Sequence, residues 1–178
     1  MKNSKLKGYI LAALFSVFIT LCAWIQFPLA VPITLQTFGV FLSLLVLGGY
    51  YGTISVLAYI SLGLIGLPVF SGFQGGFSAL LGAGGGYIIG FLALALIYWF
   101  FEKVFSKKIA DYVGLTLGLV VCYLLGAFWY SEVYAASGKT FLTSLAMLTA
   151  IYIIPDAIKL ILALIIKGKI LAHLQKIK

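Results

Sequence analysis

The chain predicts an all-α integral membrane protein of six transmembrane helices with both termini cytoplasmic, and three observations carry that reading. Of its 178 residues, 63% are hydrophobic and 9% charged, against roughly 25% charged in soluble domains. Apolar runs of membrane-spanning character recur along the whole length, so residues 1–178 read as a single membrane-embedded domain. The twelve basic residues are all lysines, and ten fall in three clusters. Lys2, Lys5 and Lys7 precede the first run; Lys103, Lys107 and Lys108 lie in a mid-chain break; Lys167, Lys169, Lys176 and Lys178 close the chain. The positive-inside rule places all three clusters on the cytoplasmic face. The net charge of +8 is then a topology signal, and no nucleic-acid partner is expected.

Residues 8–27 form the first span, nearly uncharged and long enough for a bilayer core of ~30 Å. A cleaved signal peptide would have a shorter apolar region, and Pro28-Leu29-Ala30 is a poor cleavage site, so this span is expected to be retained. A proline-punctuated outer loop, 28–36, follows. Two short runs, about 38–47 and 54–67, are separated by "GGYYGT" (48–53). Their shortness calls for tilt or local thinning. A second outer loop covers 68–84. Eight of the twenty glycines fall between Gly72 and Gly90, which excludes one uniform helix there. Helices are expected at about 85–101 and 112–131. The last apolar region, 140–166, contains Pro155, so it is either one kinked helix or two. Six spans return the chain to its starting side, in agreement with the lysines. Glu132 and Lys139 then lie outside.

Little in the chain suggests catalysis. "SGKT" (137–140) resembles the end of a P-loop, but position 133, where its first glycine belongs, is valine. "GGGYIIG" (84–90) fails the dinucleotide pattern because position 89 is isoleucine. Cys22 and Cys122 sit in apolar runs without metal spacing and read as small buried hydrophobes; His173, among tail lysines, reads as solvated. With four acidic residues and one histidine, a transporter or binder is favoured over an enzyme, and neither metal nor cofactor is expected.

The residues that stand out are Asp156 and Lys159 in "YIIPDAIKLILALII" (152–166). An ionisable residue at the centre of a membrane helix costs roughly 2.5–3.5 kcal/mol on insertion scales, so two of them need compensation. One reading is a self-satisfied ion pair at i,i+3 spacing. The other is a polar pocket in which Asp156 accepts N–H donors and Lys159 donates to a carbonyl or carboxylate. A small, mostly apolar ligand such as a vitamin fits the second reading. The irregular stretch "SGFQGG" (71–76) suits a pocket lid, since non-helical backbone at membrane depth must face protein or water. It contributes Ser71, Phe73 and Gln74. Thr34 and Gln36 come from the first outer loop, with Trp24 near its start. Gly82 to Gly90 also fits close helix packing.

Four stretches, "VPITLQTFGVFLSLLVLG" (31–48), "GLIGLPVFSGFQGG" (63–76), "GGYIIGF" (85–91) and "IPDAIK" (154–159), resemble in this order the BioY family. These are the biotin-binding S-components of energy-coupling-factor (ECF) transporters. The resemblance covers most of the chain. It implies a multi-pass substrate-binding domain of the prokaryotic cell membrane, with a biotin pocket near the outer face and no ATPase of its own. It implies as partners biotin, membrane lipid, a coupling membrane protein and two ATP-binding cassette subunits. Asp156 and Lys159 match the family's Asp-x-x-Lys, so ligand binding is carried onto them; Ser71, Phe73, Gln74, Tyr87, Gln36 and Thr34 complete the expected site. S-components are also similar in a small-xxx-small docking face on the first helix, matched here by Ala12 and Ser16. The chain departs from the family in two places. It has "GGYYGT" where basic residues often follow the second helix, and "GAGGG" (82–86) where Gly-Pro-Thr-Gly-Gly is common. An S-component for another vitamin and, from a different class, a small membrane enzyme acting on a lipid with Asp156 as base remain the alternatives.

Overall fold

The computed structural model describes residues 2–29, 31–133 and 140–176, without side chains for 2–4 and 171–176. Lys139 and Lys178 lie outside the described residues, as do most of the 137–140 stretch and the side chains of Lys2, His173 and Lys176. Helix α1 (Lys2–Trp24) has 23 residues, about 35 Å at 1.5 Å each. The first outer loop is a hairpin: β1 (Gln26–Phe27) and β2 (Ile33–Thr34) pair antiparallel, with Gln26 opposite Thr34.

Helix α2 (Gln36–Leu64) is interrupted at Gly48, whose φ of 80° and ψ of 170° are not helical. The chain doubles back there. A Cβ on Gly52 would lie 2.8 Å from the Cα of Leu44, and the amide of Gln36 donates to the hydroxyl of Tyr59. In a straight helix residues 36 and 59 would be about 35 Å apart. The arms 36–47 and 49–64 are therefore antiparallel and cross the membrane separately. Five helices among the described residues are long and apolar enough to span; with α2 counted twice, there are six crossings. The break expected over 48–53 contracts to one residue because Glu102 accepts the N–H of Gly49, capping the second arm from its first turn. Glu102→Ala is expected to lower the thermal midpoint in detergent by roughly 2–4 °C, the effect of about 1 kcal/mol in a protein of this size. Glu102→Gln, which keeps an acceptor, should retain most of that stability.

The second outer loop is also structured. A 3-10 turn (Ser71–Phe73) leads into the short helix α3 (Phe77–Leu81). Phe70, 1% exposed, roots it in the core, its ring occupying the space beside Gly63. Helix α4 (Gly85–Val104) is followed by α5 (Lys107–Ile109), a π-turn (Ala110–Gly114), α6 (Leu115–Val133) and α7 (Phe141–Lys176). Helix α7 runs unbroken through Pro155 for 36 residues, about 54 Å, which settles the choice between one helix and two.

The described lysines other than Lys159 gather at one end, opposite the two outer loops. Tyr9 meets Tyr50 and Tyr51 there, Lys103 lies 4.5 Å above the Trp99 ring, and Lys107 is 3.7 Å from Glu102. Lys167 is not an exposed topology charge: it is buried against Asp111, which also accepts from the Tyr98 hydroxyl at 3.0 Å. At the centre, α4 and α6 approach at small residues. A Cβ on Gly90 would lie 3.0 Å from the Cα of Cys122, and one on Gly118 3.0 Å from the Cα of Leu94. Without hydrophobic driving between helices in lipid, such close contact supplies the association.

Ala12 and Ser16, where a docking face is expected, take part in packing within the chain. Both are almost fully buried, at 1% and 2% exposure, on the α1 side that meets α2 between the Gly8–Tyr51 and Ile19–Gly39 approaches. The exposed face of α1 carries Ile10, Leu14, Val17 and Leu21 instead. Small-xxx-small spacing is equally a signature of packing within one chain, and here it serves that purpose.

Candidate functional site

Three helices converge on Asp156. Helix α7 presents Asp156 and Lys159 one turn apart, at 3% and 6% exposure. The first turn of α2 brings Thr37, and the middle of α6 brings Tyr123. Lys159 Nζ donates to Asp156 Oδ1 at 2.7 Å and to Thr37 Oγ1 at 3.1 Å. The Thr37 hydroxyl donates its own proton to the same Oδ1 at 2.7 Å, and Tyr123 donates to Oδ2 at 2.7 Å. The pair is thus both ion-paired and hydrogen-bonded, which meets the desolvation cost of burying it. The network is not saturated among the described residues. An ammonium has three donors and a carboxylate about four acceptor positions, so one N–H of Lys159 and one position on Asp156 remain.

Beside the pair lies a cavity of about 340 Å³, within the range of small-molecule sites. Asp156, Lys159, Thr37 and Tyr123 line it at one end, and the two outer loops roof it. Ser71, Gln74, Tyr87, Gln36 and Thr34 also line it. Gln36 is largely committed elsewhere: its backbone N–H donates to Thr34 Oγ1 at 3.1 Å, its Oε1 accepts from that hydroxyl at 3.3 Å, and its amide holds Tyr59. Phe73 is not in the lining. It is 63% exposed and rests on the Trp24 ring at 4.8 Å, outside the roof. Thr37, Tyr123, Tyr152, Gln26 and Cys122 were not expected there and line the cavity too. Each is a neutral residue in an apolar run or at its edge. The signal available for Thr37 was its place within a matched motif beside Gln36.

Six membrane helices that close one end over a small cavity, with a buried charge pair at its floor, define a membrane-embedded small-molecule-binding protein. The BioY family model matches residues 1–176, and the chain belongs to that family. It is 38% identical over 167 residues to the probable biotin transporter BioY of Pyrococcus horikoshii, covering 93% of this chain and 97% of the relative. It is 36% identical to the biotin transporter BioY of Lactococcus lactis over 174 residues, 92% of this chain and 90% of the other. With that of Thermotoga maritima it shares 42% identity over 127 residues, 69% and 73% of the two chains. A crystal structure of the S-component for biotin from an ECF-type ABC transporter superposes with a TM-score of 0.83 at 34% identity, covering 96% of this chain and 93% of that one.

Proposed function

We propose that this chain binds biotin and serves in its uptake as the substrate-specific subunit of an ECF-type ABC transporter. The observation that carries the reading is the unsaturated Asp156–Lys159 pair at the floor of a roofed cavity, in a chain whose relatives are named biotin transporters. The ureido ring of biotin presents N–H donors beside a carbonyl. That is the complement of one open acceptor on Asp156 and one open donor on Lys159. Apolar walls such as Ile88 and Phe91 suit the bicyclic ring and chain, and the roof excludes water, which strengthens each polar contact.

The lysine-bearing end faces the cytoplasm in this reading, by the positive-inside rule, and both termini lie there. The cavity then opens outward. Release inward requires work, since tight binding alone moves nothing across a membrane. A coupling membrane protein and two ATP-binding cassette subunits supply it. The chain is a transport subunit and not an enzyme; turnover of a lipid on Asp156 is not favoured, because that carboxylate already accepts three hydrogen bonds.

Calorimetric titration of the purified protein in detergent tests the function. Biotin is expected to bind with one site per chain, and neither thiamine nor riboflavin should displace it. Binding heat from either, with none from biotin, would assign the chain to another vitamin.

A further inference from the structure

The cavity is charged at one end only. Of the described residues that line it, Asp156 and Lys159 alone carry charge, and both are buried at the floor. The mouth lies between the two outer loops, where the lining residues Gln26, Pro28, Leu29, Gly72 and Gln74 are exposed and uncharged. Gly72 faces Gln26 there: an added Cβ would lie 3.5 Å from Gln26 Nε2. Lys103, Lys107 and Lys167 are held at the opposite end of the molecule by Trp99, Glu102 and Asp111. Helix α4 starts on the lining at Gly84, and a helix N-terminus can receive an anion. Its first N–H groups are already spent, however. Gly85 donates to Gly82 at 3.0 Å, and Tyr87 and Ile88 donate to Gly84 at 3.0 and 3.2 Å.

This asymmetry orients the ligand. The floor pair is neutral as a whole and offers one open donor and one open acceptor, which the ureido group of biotin fills together. A carboxylate set there would satisfy Lys159 but press a second negative charge against Asp156. It would also leave a buried charge without a counterion, which a low dielectric penalises heavily. The valerate carboxylate therefore points to the mouth, where water solvates it and no described cation lies on the lining. We infer that the site recognises the ureido head and the chain of biotin but not its carboxylate. Its ligand class then includes neutral esters and amides of that carboxylate, among them biotin joined to the side chain of lysine. The inference rests on the biotin reading for the identity of the head group, and adds that the tail is unselected.

Calorimetric titration of the full chain in detergent tests this with biotin, biotin methyl ester, the amide of biotin with the lysine side chain, and iminobiotin. The ester and the amide should bind within about threefold of biotin, since a solvated charge without a partner contributes little. Iminobiotin replaces the carbonyl acceptor with a cationic guanidinium group. It should lose at least about tenfold, the worth of a hydrogen bond to Lys159. A cation supplied at the mouth should create the missing selectivity: Gln74→Lys is expected to raise the preference for biotin over its methyl ester up to about fivefold at low salt. A loss of about tenfold or more with the ester or the amide, while biotin binds, overturns the inference. So does full affinity for iminobiotin, because the head would then not meet Lys159. An unchanged ester-to-biotin ratio in Gln74→Lys overturns it too, by placing the carboxylate away from this mouth. Absence of heat from biotin itself overturns the biotin reading instead.

Discussion

Asp156→Asn and Lys159→Ala are each expected to weaken biotin binding at least about tenfold. A hydrogen bond to a charged group contributes about 1.5–3 kcal/mol, or roughly ten- to a hundredfold in affinity. Lys159→Ala removes the open donor. Asp156→Asn takes the charge from the acceptor and turns half of it into a donor. Each variant also strands its partner, since removing one member of a buried pair costs about 3–5 kcal/mol. A loss of binding could therefore follow from unfolding alone. The double variant Asp156→Asn/Lys159→Met separates the causes, because it leaves no unpaired charge at similar volume. Its thermal midpoint in detergent should return toward that of the unaltered protein, with Thr37 and Tyr123 still bonded to the amide. Its affinity for biotin should stay low. If the double variant regains affinity as it regains stability, the pair holds the fold and does not touch the ligand.

The pair was legible because charges among apolar residues are conspicuous in any sequence, and the lysine clusters stood out for the same reason. Its surroundings were not legible. Tyr123 and Tyr152 are two of eleven tyrosines in the chain; only the tertiary approach of α6 to α7 brings Tyr123 to Asp156, and only that of α7 to the first loop brings Tyr152 to Val31. Lys167 misled in the opposite direction. It belongs by sequence to the closing cluster, yet it is buried because Asp111, 56 residues earlier, meets it from the π-turn. Phe73 was drawn into the expected site by its neighbours Ser71 and Gln74. The positive φ of 58° at Phe73, beside Gly72 at 69°, instead turns its ring out onto Trp24. The Gly48 reversal was expected too broadly, because a carboxylate from α4 that lets the helix restart at once leaves no mark in "GGYYGT".

The glycines of α4 and α6 set the distance between the walls of the cavity, and Gly90→Leu is expected to be strongly damaging. A Cβ there would lie 2.7 Å from the Sγ of Cys122 and 3.0 Å from its Cα. The obstruction includes backbone and cannot be relieved by a rotamer alone. Inserting bulk into a packed interior costs about 1–3 kcal/mol, and more when backbones must separate. Tyr87 precedes Gly90 by one turn and Tyr123 follows Cys122 directly, so a splayed interface pulls two lining residues apart. Thermal midpoint and biotin affinity should therefore fall together, by several degrees and at least about tenfold. Gly168→Ala, with nothing within 4 Å of its added Cβ, should leave affinity alone and add a little helix stability. A size exchange gives the sharper test. Gly90→Ala alone should reproduce part of the loss, and Gly90→Ala/Cys122→Gly should recover the share that comes from the Sγ contact. Recovery of both stability and affinity in the exchanged pair identifies steric separation of α4 from α6 as the cause. Stability without affinity would mean instead that the Cys122 side chain itself contacts biotin.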